Sequence, residues 1–199
     1  MKRLQAIAET VSRGGAIVGG AMLLIAAITI CVDIFLRYAF SLTVGGADDL
    51  SGYALAISSA WGFSAALLSR SHIRIDTVYV RVKRRAARAV LDLLSVAAFA
   101  LFAALLVWHG WGVFRLSYVS DSHSQSAIEM PLALPQGIWF AGLAFFLGVA
   151  LLLLARALLA CARKDLDGVF RLIGSKSAAA EAREEIVAVE RALEAERKQ

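Results

Sequence analysis

The hydrophobic residues of this chain are gathered into four long runs without a charged side chain, and polar segments separate these runs. The runs are Gly14–Val32, Leu50–Ser69, Leu93–Phe114 and Met130–Ala155. An α-helix rises about 1.5 Å per residue, so roughly 20 residues cross the hydrocarbon core of a bilayer. Because each run is near or above this length, the pattern predicts four transmembrane helices. The predicted spans are 14–36, 50–69, 93–114 and 131–157.

The segments outside the runs complete the predicted organisation. Residues 1–13 repeat apolar side chains at helical spacing among charged ones, which is typical of an amphipathic helix on a membrane surface. The segment 70–92 shows similar spacing with many basic residues, and 158–199 is a charged tail whose end, Lys176–Gln199, favours a helix. The connecting loops are 37–49 and 115–130. The expected fold is therefore all-α and integral to the membrane, with amphipathic segments at the interface.

The composition supports a membrane protein. Apolar residues make up 59% of the chain and charged residues 19%, and the mean hydropathy is +0.69. A soluble domain usually has roughly half apolar and a quarter charged residues. Because the four runs occupy nearly half of the chain, the remainder is too short for a sizeable soluble core. These observations exclude a soluble enzyme, a nucleic-acid-binding module and a disulfide-stapled secreted domain.

The basic residues are distributed very unevenly between the connections. Of the 21 Lys and Arg residues, three precede the first run, seven lie between the second and third, and nine follow the fourth. The other two connections hold one each, Arg37 and Arg115. Lys and Arg in short loops stay on the cytoplasmic side of a membrane. The distribution predicts that both termini are cytoplasmic and that the loops 37–49 and 115–130 face outward.

The basic residues of the segment 70–92 are expected to contact lipid phosphates, each contributing roughly 1 kcal/mol near an anionic surface. A docking surface for a cytosolic partner is the alternative interpretation. The basic residues in question are Arg81, Lys83, Arg84, Arg85 and Arg88.

The predicted spans contain no pattern typical of a reaction centre. None has a central charged side chain, and no cluster of Cys, His, Asp and Glu has the spacing of metal ligands. Asp33 and Arg37 stand four residues apart at the outer end of the first span and are expected to pair. Asp48 and Asp49 precede the second span, where carboxylates cap free N–H groups or contact an external partner. We therefore expect no catalytic residue, substrate-binding residue, metal site or cofactor in this chain.

Small residues in the first two spans predict close packing between helices. Small side chains let helix backbones approach each other in lipid, either within the four-helix bundle or against a larger partner. The residues at this spacing are Gly15 and Gly19 in the first span and Ala54, Ser58, Gly62 and Ala66 in the second.

Residues 37–76 contain an ordered set of short motifs. In chain order they are Arg37-Tyr38-Ala39-Phe40, Asp48-Asp49, Trp61-Gly62 and His72-Ile73-Arg74-Ile75-Asp76. Together with the four-span layout and with Pro131 and Pro135 at the entry to the last span, they resemble the small membrane subunit of tripartite ATP-independent periplasmic (TRAP) transporters. The sequence departs from the family pattern in its Asp pair, in Gly45-Gly46 and in its charged tail.

The resemblance implies a role in sodium-coupled import of an organic acid or a similar anionic solute across a bacterial inner membrane. In this family a large membrane subunit moves substrate and sodium past a fixed scaffold, and a periplasmic binding protein delivers the substrate. The small subunit packs on the scaffold and binds neither substrate nor ion. By resemblance, Arg37, Asp48 and Asp49 would lie near the outer face, and His72, Arg74 and Asp76 at the inner surface. The expected structural or interface residues are Arg37, Asp48, Asp49, Ser58, Trp61, Gly62, His72, Arg74 and Asp76.

Two other functions remain open from the residues. A haem-holding membrane anchor of a respiratory enzyme would need two axial histidines at facing depths, and His109 is the only histidine within a predicted span. A self-assembling four-span channel would need strongly polar or charged residues at the centre of the spans, and none of the spans has a central charged side chain.

Overall fold

The computed structural model describes residues 2–69, 82, 84–163, 165–173 and 186. Over these residues the protein is helical and has no strand beyond one isolated bridge between His123 and Pro131. The helices are α1 (Lys2–Phe40), α2 (Ala47–Ser69), α3 (Arg85–Val119), α4 (Ala133–Ala162) and α5 (Leu166–Ile173). Most of the predicted amphipathic segment 70–92 before Arg84, and nearly all of the predicted tail helix, lie outside the described residues.

Three helices, α1, α3 and α4, are long and apolar enough to cross a membrane. This finding supports a multi-pass membrane protein. The helix α2 has 23 residues, which at about 1.5 Å per residue is also long enough. Its serines and glycines lower its hydropathy, and it lies between two other helices rather than at the edge of the bundle. The assignment of α2 as a fourth span therefore remains a prediction.

The helix α1 is continuous over 39 residues, so the predicted surface segment 1–13 and the predicted span 14–36 form one element. No proline interrupts this stretch, and the adjacent glycines Gly14 and Gly15 remain helical. At about 1.5 Å per residue, α1 is roughly 58 Å long, nearly twice the thickness of the hydrocarbon core. One or both of its ends therefore extend beyond the bilayer.

The four long helices are neighbours in the order α1, α2, α4 and α3. The helix α2 packs against both α1 and α4, whereas α1 has α2 as its main neighbour within the described residues. The buried core lies toward the end of the bundle that holds the beginning of α1 and the short helix α5. It includes Ala8, Leu67, Val96, Phe146 and Ile173. We call this end of the bundle the terminal end, and the opposite end the loop end.

The short helix α5 folds back against α3 and α4 at the terminal end. The Asp165 carboxylate caps its first turn by accepting a hydrogen bond from the N–H of Gly168 at 2.8 Å. Val169 and Ile173, four residues apart, are almost completely buried. The beginning of the predicted charged tail is therefore an ordered, amphipathic part of the bundle.

Candidate functional site

Trp61 lies at the junction of three helices. Its indole N–H donates a hydrogen bond to the carbonyl oxygen of Ile138 in α4 at 3.1 Å, and its ring stacks on Phe145 with 5.6 Å between the ring centroids. A Cβ atom added at Gly15 in α1 would lie 3.0 Å from the indole ring, and one at Gly142 in α4 would lie 2.8 Å from it. The two glycines thus make room for the indole, which connects α2 to both neighbouring helices.

Gly19 and Ser58 form a second close contact between α1 and α2. A Cβ atom at Gly19 would lie 2.8 Å from the Cβ atom and 2.9 Å from the Cα atom of Ser58. The Ser58 hydroxyl donates a hydrogen bond to the carbonyl oxygen of Ala54 at 2.6 Å, so it is satisfied within its own helix. Gly62 differs, because a Cβ atom there would meet nothing within 4 Å. Gly19 and Ser58 therefore set the spacing of the two helices, and Gly62 does not.

Asp33 fixes the loop that follows α1. Its buried carboxylate accepts hydrogen bonds from the Arg37 guanidinium at 2.6 Å, the Thr43 hydroxyl at 2.8 Å and the N–H of Val44 at 2.7 Å. The predicted pairing of Asp33 with Arg37 is confirmed. The contacts with Thr43 and Val44 were not predicted, because they depend on the chain turning back after α1.

Asp49 connects the beginning of α2 with the loop between α3 and α4. Its carboxylate accepts a hydrogen bond from the Ser124 hydroxyl, whose oxygen lies 2.9 Å from the hydroxyl oxygen of Ser126. Hydrogen bonds from these two hydroxyls lower the pKa of the Asp49 carboxyl below its ordinary value. The neighbouring Asp48 is exposed in the first turn of α2. Of the two adjacent acids, Asp49 is thus the one that joins the loops.

The same two loops also touch through Gly45 and Gly46. Both glycines adopt positive φ angles, +66° and +82°, which disfavour other residues. A Cβ atom at Gly46 would lie 2.5 Å from the Ile128 side chain, and one at Gly45 would lie 3.0 Å from the Cβ atom of Ala127. Residues 41–49 and 120–132 therefore form one packed unit, which we call the loop cap.

Two of the predicted lipid-facing basic residues have protein partners at the terminal end. Arg85 forms an ion pair with Asp167 of α5, and its guanidinium lies 5.7 Å above the centre of the Phe170 ring. Arg88 donates a hydrogen bond from Nε to the carbonyl oxygen of Val82 at 2.6 Å. The Arg85 side chain is still largely exposed, so its contacts with Asp167 and Phe170 leave it accessible to lipid.

The remaining predicted basic residues and the last of the four sequence motifs are exposed or lie outside the described residues. Arg84 is exposed directly before α3. Five further predicted residues lie outside the described residues: His72, Arg74, Asp76, Arg81 and Lys83.

Sequence reasoning did not single out Asp92, which is completely buried in α3. Its only signal was its position directly before the third hydrophobic run.

The contacts described above hold helices and loops together. Across the described ranges, no group of three or more His, Cys, Asp or Glu side chains is placed to hold a metal ion. The two most constrained regions are the junction around Trp61 and the loop cap. Both are therefore candidate structural and interface sites.

Comparison with family models gives a match over residues 26–164 to the family described as "Tripartite ATP-independent periplasmic transporters, DctQ component". The matched range includes α2, α3, α4, the loop cap and the second part of α1. The helix α5 lies beyond it. No curated protein and no solved structure matches the chain. The comparisons thus give no support to the respiratory-anchor and channel alternatives.

Proposed function

The chain belongs to the DctQ family, the small membrane components of tripartite ATP-independent periplasmic transporters, and from this we propose that it is the non-catalytic scaffold subunit of such a transporter. The observation that carries the proposal is the family match, which extends over most of the chain. The proposed transporter imports an organic acid or a similar anionic solute in a sodium-coupled manner. It combines this chain with a large membrane subunit and a periplasmic binding protein.

A scaffold has to keep its shape while another subunit moves, and the helix contacts support this role. The indole of Trp61 packs into spaces left by Gly15 and Gly142, so it cannot shift without losing contacts on both sides. Gly19 brings the backbones of α1 and α2 together in the way that stabilises helix pairs in lipid. Small residues and one aromatic side chain thus hold α1, α2 and α4 in a fixed relation.

The arrangement of the helices leaves large apolar surfaces for a partner subunit. Because α1 and α3 stand at the two ends of the row, much of each faces away from the other described helices. Ile25 on α1 and Leu101 on α3 are each 64% exposed, and neighbouring apolar side chains are similarly exposed. In a bilayer such surfaces contact either acyl chains or other helices. We place the large membrane subunit against one of these surfaces.

The proposed orientation has both termini in the cytoplasm, with α2 as the fourth span and the loop cap in the periplasm. The uneven distribution of basic residues supports this orientation. The loop cap would then face the periplasmic binding protein, with Asp48 among its exposed charges and the exposed Arg37 close by at the end of α1. His72, Arg74 and Asp76 would belong to the cytoplasmic surface.

Depletion of this chain in its native bacterium tests the proposal. Uptake of a panel of labelled mono- and dicarboxylates should lose a sodium-dependent component, and expression of the chain from a plasmid should restore that component. The chain purified alone and placed in liposomes should transport none of these solutes. Transport by the chain alone would contradict the scaffold role and favour a channel.

A further inference from the structure

A cavity of about 570 Å³, widely open to the protein surface, lies between the terminal-end halves of α1 and α2. Its volume falls within the range of roughly 300–1,000 Å³ that is common for small-molecule sites. The residues that line it include Glu9, Ser12 and Arg13 from α1 and Ala66 and Ser69 from α2. Neither the helix contacts at Trp61 nor the loop cap involves this cavity.

The lining of the cavity changes from polar to apolar along the helix axes. Glu9, Ser12 and Arg13 lie toward the terminal end of α1, and Ala16 and Ile17 follow them toward the middle of the helix. The α2 side of the cavity shows the same change, because Ser69 lies at the terminal end and Ala65 and Ala66 lie one turn closer to the middle of the helix. A molecule that fits this lining has a polar part at the helix ends and an apolar part directed into the membrane.

The polar groups of the cavity are available for a ligand. The Arg13 side chain is exposed and has no ion pair or hydrogen bond with the residues that the structure describes. Glu9 is also exposed and accepts one hydrogen bond, from the Gln5 amide at 2.7 Å. The Ser12 side chain is 1% exposed, and its hydroxyl lacks a hydrogen-bond partner within the same described residues. The exposed charges of Arg13 and Glu9 are therefore the groups that a ligand reaches directly, whereas the Ser12 hydroxyl has almost no accessible surface.

We infer that this cavity binds a single phospholipid with a zwitterionic headgroup of the phosphoethanolamine type. The guanidinium of Arg13 suits the phosphate, because Arg forms strong charge-assisted hydrogen bonds with phosphate oxygens. The carboxylate of Glu9, one helical turn away, suits the ammonium group. One positive and one negative side chain match a headgroup that has both charges, and Ala16 and Ile17 lie where its acyl chains enter the bilayer.

The inference is tested by native mass spectrometry of the full-length chain, purified from membranes in mild detergent and exposed to equal amounts of phosphatidylethanolamine and phosphatidylglycerol. The wild-type protein should retain one phosphatidylethanolamine in preference to phosphatidylglycerol. Arg13→Gln should reduce this retention by about tenfold, as expected for the loss of one charge-assisted hydrogen bond. The exposed Arg3, which does not line the cavity, provides the matched control Arg3→Gln, which should behave as wild type.

A second pair of variants tests the apolar part of the site. Ala16→Phe fills the cavity and should prevent lipid retention, whereas Ala21→Phe, on an exposed position of the same helix, should not. Circular dichroism of both variants checks that the helices remain folded. Equal lipid retention by Arg13→Gln, Ala16→Phe and their controls would overturn the inference. Preferential retention of phosphatidylglycerol by the wild-type chain would overturn the assignment of a zwitterionic headgroup.

Discussion

Replacing Gly19 with alanine is expected to push α1 away from α2. The new Cβ atom would lie 2.8 Å from the Cβ atom and 2.9 Å from the Cα atom of Ser58. Carbon atoms prefer separations of about 3.5–4.0 Å, so one backbone has to move by roughly 1 Å. A flexible side chain could turn aside, but the Cα atom of Ser58 belongs to the backbone of α2. The helix pair therefore has to separate along this contact.

The expected cost is that of overpacking, in which an added methyl group destabilises a close-packed contact by about 1–3 kcal/mol. The Gly-to-Ala change also favours the helix by up to about 1 kcal/mol, which obscures the packing effect in a single variant. Gly20→Ala is the matched control, because a Cβ atom at Gly20 meets nothing within 4 Å. The two variants share the gain in helix propensity and differ in the packing contact.

The assay is thermal unfolding of the purified chain in detergent, followed by its tryptophan fluorescence. Trp61 reports on the contact region, since its ring also packs against Gly15 of α1. A net loss of about 2 kcal/mol would lower the Tm of Gly19→Ala by roughly 4–8 °C relative to Gly20→Ala. If the two variants melt at the same temperature, the argument that Gly19 sets the spacing of α1 and α2 is refuted.

Three further predictions concern other contacts and the topology. Trp61→Phe removes both the hydrogen bond to α4 and the part of the indole that packs at Gly142, so in thermal unfolding it should cost more than the about 0.5–1.5 kcal/mol of a hydrogen bond alone, whereas Trp108→Phe, at an exposed ring, should have little effect. Because hydroxyl hydrogen bonds lower the pKa of Asp49, its contribution to stability is present above the ordinary pKa of 3.8 and is lost as the pH falls through the lower folded value. As the pH is lowered, the free energy of unfolding should thus fall less steeply for Asp49→Asn than for wild type or Asp48→Asn. Equal pH profiles would exclude a stabilising role for the Asp49 carboxylate. A cysteine in place of the exposed Gln125 in the loop cap, in a chain without its two native cysteines, should react with an impermeant maleimide from outside intact cells, and labelling only after lysis would reverse the proposed orientation.

Several structural features could be predicted because they depend on local spacing. Long uncharged runs predict apolar helices wherever they occur, and three of the four runs lie in helices with the length and hydropathy of membrane spans. The pairing of Asp33 with Arg37 follows from their separation by one helical turn. The close contact at Gly15 and Gly19 likewise follows from small residues four positions apart, although the partner residues on α2 could be narrowed only to a stripe of small side chains.

Other features depend on contacts between distant parts of the chain and gave only weak signals. The contact of Asp49 with Ser124 joins residues 75 positions apart, and no spacing rule connects them. Gly45 and Gly46 looked like a departure from the family pattern, yet each allows the loops to pack closely. The helix α5 was not predicted, because its pattern covers only eight residues within a charged tail and the surface that buries Val169 and Ile173 comes from α3 and α4.

If this chain is the small membrane subunit of a TRAP transporter, it should co-purify with the large subunit in a fixed stoichiometry. The tagged chain is isolated from native membranes in mild detergent, and the proteins that accompany it are identified and quantified by mass spectrometry. We expect one large polytopic membrane protein in an amount equal to that of the chain. Recovery of haem or flavoprotein subunits, or of a homo-oligomer without any other protein, would contradict it.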